Sequence, residues 1–396
     1  MLCLWYVETN MYLHHCVPGP LERCLNRHFI SQSIILTLLF TILAGCARAP
    51  QIIGFSNPDV PVDSVSEITK HRMFLVSTRE ASDVVGAFYS SDRAPELGLA
   101  SVDATVPPSH VTGVLERPRR LPPDPRTEFT VVNPFVYGSD APFIAEINRE
   151  LAKRQPGNRE LLIFIHGFNN TASDAVLRLS QFVEDTGYKG VPILFTWASA
   201  AQGSRYVYDL NSAIVARAQL KNMVGILNAT RAESVDIFAH SMGTFLTMEG
   251  LVKQQDTGRL GKGVRIDNIV LASPDIDIDV FQTQIAALPP SITQKMYLLI
   301  SKDDAALRLS RRIAGGVPRV GAADAMLLEQ QFGVTVIDLG EVDDSSSGSH
   351  SKFAGSPNVV KLIGSGLNAN PRFGKTGSST TFQDLLANTP VTIITN

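Results

Sequence analysis

The chain is predicted to fold as a doubly wound, mostly parallel α/β sheet with helices on both faces, and three features carry that prediction. Six short runs, at 161–165, 191–196, 235–239, 269–272, 296–301 and 334–339, are mostly apolar with little alternation, the pattern of parallel strands covered on both sides. Helical stretches fall between them. The segment 173–184 sets Val176, Leu179, Phe182 and Val183 on one face behind the capping-type residues Asn170 and Thr171, and stops at Gly187. The segment 204–228 spaces Ile214, Leu220, Val224 and Leu227 at helical intervals, and 242–253 follows a serine directly. This repeated βα order places a ligand at the carboxyl ends of the strands.

A chain of 396 residues, 44% hydrophobic and 18% charged, can bury a large core. Its formal charge of −3 supplies neither the basic field that attracts nucleic acid nor an acidic solvating tail, so a nucleic-acid partner is not expected.

The N-terminal part has its own logic. After Arg23, Arg27 and His28, an apolar run of about 16 residues ends in Leu43, Ala44, Gly45 and Cys46. It is short for a bilayer span and suits the apolar region of a signal peptide. The last four residues resemble the lipobox of bacterial lipoproteins, in which the cysteine is lipidated and becomes the first mature residue. A short membrane anchor or a buried helix is the plainer alternative. The lipoprotein reading makes 1–45 a signal peptide, whose true start could be Met11, and 46–66 a polar, proline-bearing tether. A catalytic domain with an N-terminal extension then covers 67–364, its first strand-like run at 71–78, and 365–396 is a flexible tail apart from a short strand at 391–394. Cysteines stand only at 3, 16, 24 and 46, so the mature part has no thiol nucleophile, cysteine zinc site or internal disulfide.

The chemistry centres on VDIFAHSMGT, 235–244. Ser241 lies where an apolar strand meets a helix, the context of a nucleophile elbow, in which small residues two before and two after the serine let strand and helix pack around a tight turn. Gly243 supplies the second, and Ala239 replaces the first glycine by the next smallest residue. Earlier, LLIFIHGFNN, 161–170, ends a strand in His166 and Gly167. In the α/β-hydrolase arrangement the loop here and the residue after the nucleophile each give a backbone N–H to the oxyanion hole, which assigns Phe168 and Met242. The ring of His166 reads as an ordinary hydrogen-bonded loop histidine.

In that arrangement an acid and then a histidine follow the serine. Of eight histidines only His350 lies beyond Ser241, in the loop DDSSSGSHSKF after the last strand of the series. The acid must end a strand between them. Asp304, after MYLLIS, is the first choice and Asp275, after NIVLA, the reserve, with Asp303 read as a helix cap. The run Asp275, Asp277, Asp279 resembles the start of a calcium loop, but Val280 and Ala286 occupy the places of its glycine and its glutamate, so no metal and no cofactor is expected.

Taken together, FLVSTRE, VPPSHVTGVLERP, FIHGFNN, FTWAS, Tyr208 with Asp209, AHSMG, ASPDID, the S-x-x-D run at 301–304 and the final GSH resemble a bacterial α/β-hydrolase family of unknown function, DUF900, within the esterase and lipase superfamily. The resemblance spans roughly residues 70–365 and implies the α/β-hydrolase fold, a hydrolase, and Ser241, Asp304 and His350 at the matching positions. The segment ASAAQG after Trp197 departs from it, where a proline is commoner.

Three functions fit these residues. One is a membrane-tethered serine hydrolase that cleaves a small-molecule or lipid carboxylic ester, held by a lipid on Cys46 in the cell envelope, at the bacterial outer membrane facing the periplasm. The second is a non-catalytic binding or scaffolding lipoprotein of the same fold. The third is a serine peptidase or amidase. Oligomeric state has no signature in the sequence.

Overall fold

The computed structural model describes residues 56–84, 86–343, 348–368 and 391–394. Cys46, the leader before it and most of the expected tail lie outside the described residues.

The 71–78 run is the centre of a longer strand, β1 (Thr69–Ala81), followed by two strands absent from the sequence reading, β2 (Tyr89–Val106) and β3 (Thr130–Tyr137). Then come α1 (Asp140–Ala152), β4 (Glu160–Ile165), α2 (Ala172–Thr186) and β5 (Val191–Thr196). Helix α2 begins as its composition predicts. The Thr171 hydroxyl accepts from Asp174 N while the Asp174 carboxylate accepts from Thr171 N, and Gly187 closes the helix in the left-handed region at φ 59°.

The single helix expected over 204–228 is two, α3 (Tyr206–Arg217) and α4 (Leu220–Asn228). Between them the N–H groups of Ala218 and Gln219 reach the carbonyls three residues back, Val215 and Ala216, a tightened turn that ends the first helix. The chain continues through β6 (Ser234–His240), α5 (Met242–Asp256), β7 (Ile266–Ala272), α6 (Ile278–Ala286), the one-turn α7 (Pro290–Thr293), β8 (Met296–Ile300), α8 (Ala305–Ile313), α9 (Ala325–Phe332) and β9 (Thr335–Asp338). The short α10 (Lys352–Gly355), α11 (Pro357–Leu367) and β10 (Thr392–Ile394) complete it.

The ten strands form one sheet in the order β10-β9-β8-β7-β6-β4-β5-β1-β2-β3. Seven neighbours from β9 to β1 are parallel, while β2 and β3 extend one edge and β10 the other in antiparallel fashion. The parallel strands alternate between two cores. Leu161, Ile163 and Ile165 of β4 face α1, α3, α4 and α5, whereas Leu162 and Phe164 face α2, α10 and α11. Burial on both sides is why these strands read as largely apolar runs without alternation. The predicted doubly wound, mostly parallel sheet is thus the observed one. The N-terminal extension joins its edge as three more strands rather than covering a face. Because β4 pairs with β6, with β5 beyond β4 and β7 beyond β6, the connections out of β4 and β6 run in opposite directions, which makes the carboxyl ends of β4 and β6 the switch point where such sheets bind ligands.

Among the described residues no helix is long and apolar enough to cross a membrane. A buried carboxyl marks the opposite end of the sheet. Asp236 of β6 is 1% exposed, and burial pushes its carboxyl up to about 7 although Asn268 Nδ2 donates to Oδ1 at 2.7 Å. The folded chain therefore keeps this proton up to about pH 7, while the unfolded chain releases it near the ordinary value of 3.8. Stability should fall as pH rises between those values, at about 1.4 kcal/mol per unit for one group. Asp236→Asn is expected to flatten that decline and to stabilise the protein by about 2–4 kcal/mol at pH 8, read as urea midpoints at pH 4.5 and pH 8.

Candidate active site

Ser241 lies between β6 and α5 with φ 53° and ψ −125°, a conformation that costs a non-glycine residue about 1–3 kcal/mol. The turn is held on both sides. Ser241 N donates to the Ala272 carbonyl at 2.9 Å, and the Ser241 carbonyl accepts from Thr244 N at 3.0 Å and Thr244 Oγ1 at 2.6 Å. Packing explains the small residues. A Cβ on Gly243 would stand 2.5 Å from the His166 carbonyl oxygen and 2.6 Å from that of Ile165, so α5 rests directly on the β4 backbone. A Cβ on Gly167 would fall 2.7 Å from Ser241 Cβ, which puts the loop after β4 against the serine. Ala239 is fully buried, and its methyl is accommodated.

Three strand ends then converge. His350 Nε2 lies 3.0 Å from Ser241 Oγ, and His350 Nδ1 lies 2.8 Å from Asp304 Oδ2. Asp304 is completely buried, and its other oxygen accepts from Leu307 N at 2.9 Å, capping α8. A proton on Nδ1 satisfies both contacts of the ring, since the carboxylate accepts from Nδ1 and the serine hydroxyl donates to Nε2.

The helix cap expected of Asp303 is therefore supplied by Asp304. Asp303 turns instead to the histidine loop, accepting from Ser349 Oγ at 2.6 Å, from Ser301 Oγ, and from Lys352 Nζ at 3.0 Å. Lys352 is 2% exposed and also donates to the Leu339 carbonyl at 2.9 Å, so His350 lies between two residues pinned to one carboxylate. Those donors hold Asp303 below the ordinary carboxylate value despite partial burial. Asp275, the reserve acid, points elsewhere: it accepts from Tyr206 Oη at 2.9 Å and from Ser310 Oγ, and lies 3.4 Å from Arg319 Nε. Asp277, from the supposed calcium run, caps α6 by accepting from Asp279 N at 3.0 Å.

His240 and Ser273 complete the support and went unrecognised in the sequence. His240 Nε2 lies 3.1 Å from the His350 carbonyl, and Ser273 Oγ donates to the same oxygen at 3.1 Å. Burial, reinforced by His350 beside it, pushes His240 well below the ordinary histidine value, so it is neutral and donates this bond. The signal was a histidine at the end of an apolar strand run, where a ring needs a partner.

Met242 N is the first amide of α5, and Phe168 N follows Gly167; among the described residues neither donates to a protein acceptor. Both belong to the segments that flank Ser241, and Met242 N carries the positive end of a 15-residue helix. Phe168 packs edge-on against Tyr206, with centroids 5.3 Å apart.

A parallel sheet of this order, with a serine on a strained turn after β6, an acid after β8 and a histidine after β9, is an α/β-hydrolase. The chain belongs to the family described as alpha/beta hydrolase of unknown function, DUF900, whose model matches residues 140–366. Solved structures are similar to it at low identity. The product of gene lin2722 from Listeria innocua is 9% identical with a TM-score of 0.34, over 56% of this chain and 96% of that one. A fungal esterase from Rhizomucor miehei is 12% identical with a TM-score of 0.33, over 76% and 83%. Esterase B from Lactobacillus rhamnosis is 10% identical with a TM-score of 0.32, over 78% and 83%. No curated protein matches the chain.

Proposed function

We propose that this hydrolase cleaves a carboxylic ester through an acyl-enzyme formed on Ser241. The observation that carries the reading is the continuous chain from Ser241 Oγ through His350 to Asp304, at 3.0 and 2.8 Å. Ser241 Oγ attacks the ester carbonyl carbon as its proton passes to His350 Nε2, and Asp304 stabilises the imidazolium through Nδ1–H. The N–H groups of Phe168 and Met242 receive the oxyanion. Collapse of the tetrahedral intermediate expels the alcohol, which takes the proton from Nε2. A water, deprotonated by the same nitrogen, then releases the acid and restores the serine.

The test is labelling with a fluorophosphonate probe. One adduct per chain on wild type, none on Ser241→Ala, and turnover of short or long-chain esters are the expected results. A folded wild type that neither labels nor turns over would leave the binding-protein reading, and preference for peptide amides over esters would make the enzyme an amidase. We also propose tethering through a lipid on Cys46. Cys46→Ala expressed in a bacterial host should move the protein from the membrane to the soluble fraction; unchanged fractionation counts against the tether.

A further inference from the structure

Arg79 lies in β1, ahead of the residues matched by the family model, and is 1% exposed. The register of β1 against β2 shifts on both sides of it, between Ser77 and Arg79 and again between Arg79 and Ala81, an irregularity that re-aims a side chain. Its guanidinium crosses beneath the carboxyl ends of two parallel strands. Nε donates to Thr196 Oγ1 at 2.9 Å, Nη1 to the carbonyls of Ser90 at 3.2 Å and Ser199 at 3.0 Å, and Nη2 to the Asn170 carbonyl at 2.8 Å. Nη2 also lies 3.4 Å from His166 Nε2. One buried cation thus joins the loop after β4 to the loop after β5.

The ring of His166 is fixed by these neighbours. Its Nε2 faces donors only: Trp197 N at 3.2 Å, the Thr196 hydroxyl at 3.1 Å and the Arg79 guanidinium. That nitrogen is an acceptor, so the ring proton sits on Nδ1 and is donated to the Gly167 carbonyl at 2.9 Å. Burial and the Arg79 charge, which push His166 down to about 3, keep this neutral tautomer at working pH. Asn170 Nδ2 donates to the same carbonyl at 3.2 Å. The carbonyl of Gly167 and the N–H of Phe168 belong to one planar trans peptide and point to opposite sides of it. Gripping the carbonyl therefore sets the direction of the N–H.

We propose that Arg79 and His166 are positioning residues for the oxyanion hole, holding the peptide that joins Gly167 to Phe168 so that the Phe168 N–H faces the developing oxyanion. The inference rests on the serine-hydrolase reading above. It also gives the N-terminal strands a catalytic purpose: a residue outside the family-matched segment orients a donor inside it.

His166→Phe keeps a ring stacked on Trp197, now 5.1 Å away between centroids, but has no Nδ1–H. His166→Asn keeps a donor near that place and gives up the stacking. Turnover of a short p-nitrophenyl ester is measured per site titrated with fluorophosphonate, beside melting temperature and the affinity of a trifluoromethyl ketone that forms an oxyanion at the site. His166→Phe and Arg79→Met are expected to lose about 10–100-fold in kcat, with KM within about threefold of wild type. Ketone affinity should fall by the same factor as kcat/KM. His166→Asn should recover most of the turnover while melting below His166→Phe, an order that a merely structural role does not produce. Wild-type kcat per titrated site in His166→Phe, or activities that follow melting temperature, would overturn the inference and leave the serine-hydrolase reading intact. A wild type without labelling or turnover removes both. Should Arg79→Met not fold, the two His166 variants decide.

Discussion

Ser241→Ala is expected to lower kcat on an ester substrate by at least about 10⁴-fold, because on the proposed mechanism the variant loses the hydroxyl that attacks as His350 takes its proton. The remainder would come from substrate binding and the two backbone donors, which this change leaves in place. Stability should barely move. Among the described residues the Oγ has one hydrogen bond, and alanine meets the same backbone strain as serine at φ 53°. Ser241→Gly separates the two properties further: it is equally inactive, yet relief of the strain should raise stability by about 1–3 kcal/mol. Steady-state kinetics with differential scanning calorimetry checks both. An alanine variant with more than a tenth of wild-type turnover would show that another group attacks.

Asp304→Asn should lower kcat by about 10³–10⁴-fold with little change in melting temperature. The two halves of this prediction come from the two oxygens of one side chain. Oδ1 accepts from Leu307 N and caps α8, which an asparagine carbonyl does equally well. The other position, opposite His350 Nδ1, would become an NH₂ donor. The imidazole must then hold its proton on Nε2, where it can no longer accept from the serine. Nitrogen-15 spectra of the His350 ring should show the exchange of tautomers. Asp304→Ala loses the cap as well and should cost about 1 kcal/mol. Asp275→Asn is the control. Its partners are Tyr206, Ser310 and Arg319, so stability should drop while turnover per folded molecule stays near wild type. The opposite pattern would make Asp275 the acid.

The parts legible from residue order share a physical origin. Six parallel strands stand out because both their faces are covered, and each then needs apolar residues at most positions rather than at alternate ones. Strands β2 and β3 were invisible for the converse reason. Sequences such as YSSDRAPELG are half exposed at the edge of the sheet, so they carry charges and Pro95 and lack periodicity. His350 stood out by elimination, since a covalent order of roles leaves one histidine after Ser241.

The chain order, the elbow and the small residues around it are local properties, written in neighbours a few positions apart, and the sequence carries them without help from the fold. The partner of His350 is not local. Asp275 and Asp304 both follow parallel strands at the same edge of the sheet, and only the path of the loop, with Ser349 and Lys352 tied to Asp303, brings Asp304 to within 2.8 Å of the ring while Asp275 turns to Tyr206. Arg79 makes the same point over a longer span. In sequence it is one charge in FLVSTRE; in the folded protein its donors meet carbonyls from residues 90, 170 and 199, contacts that no spacing along the chain encodes.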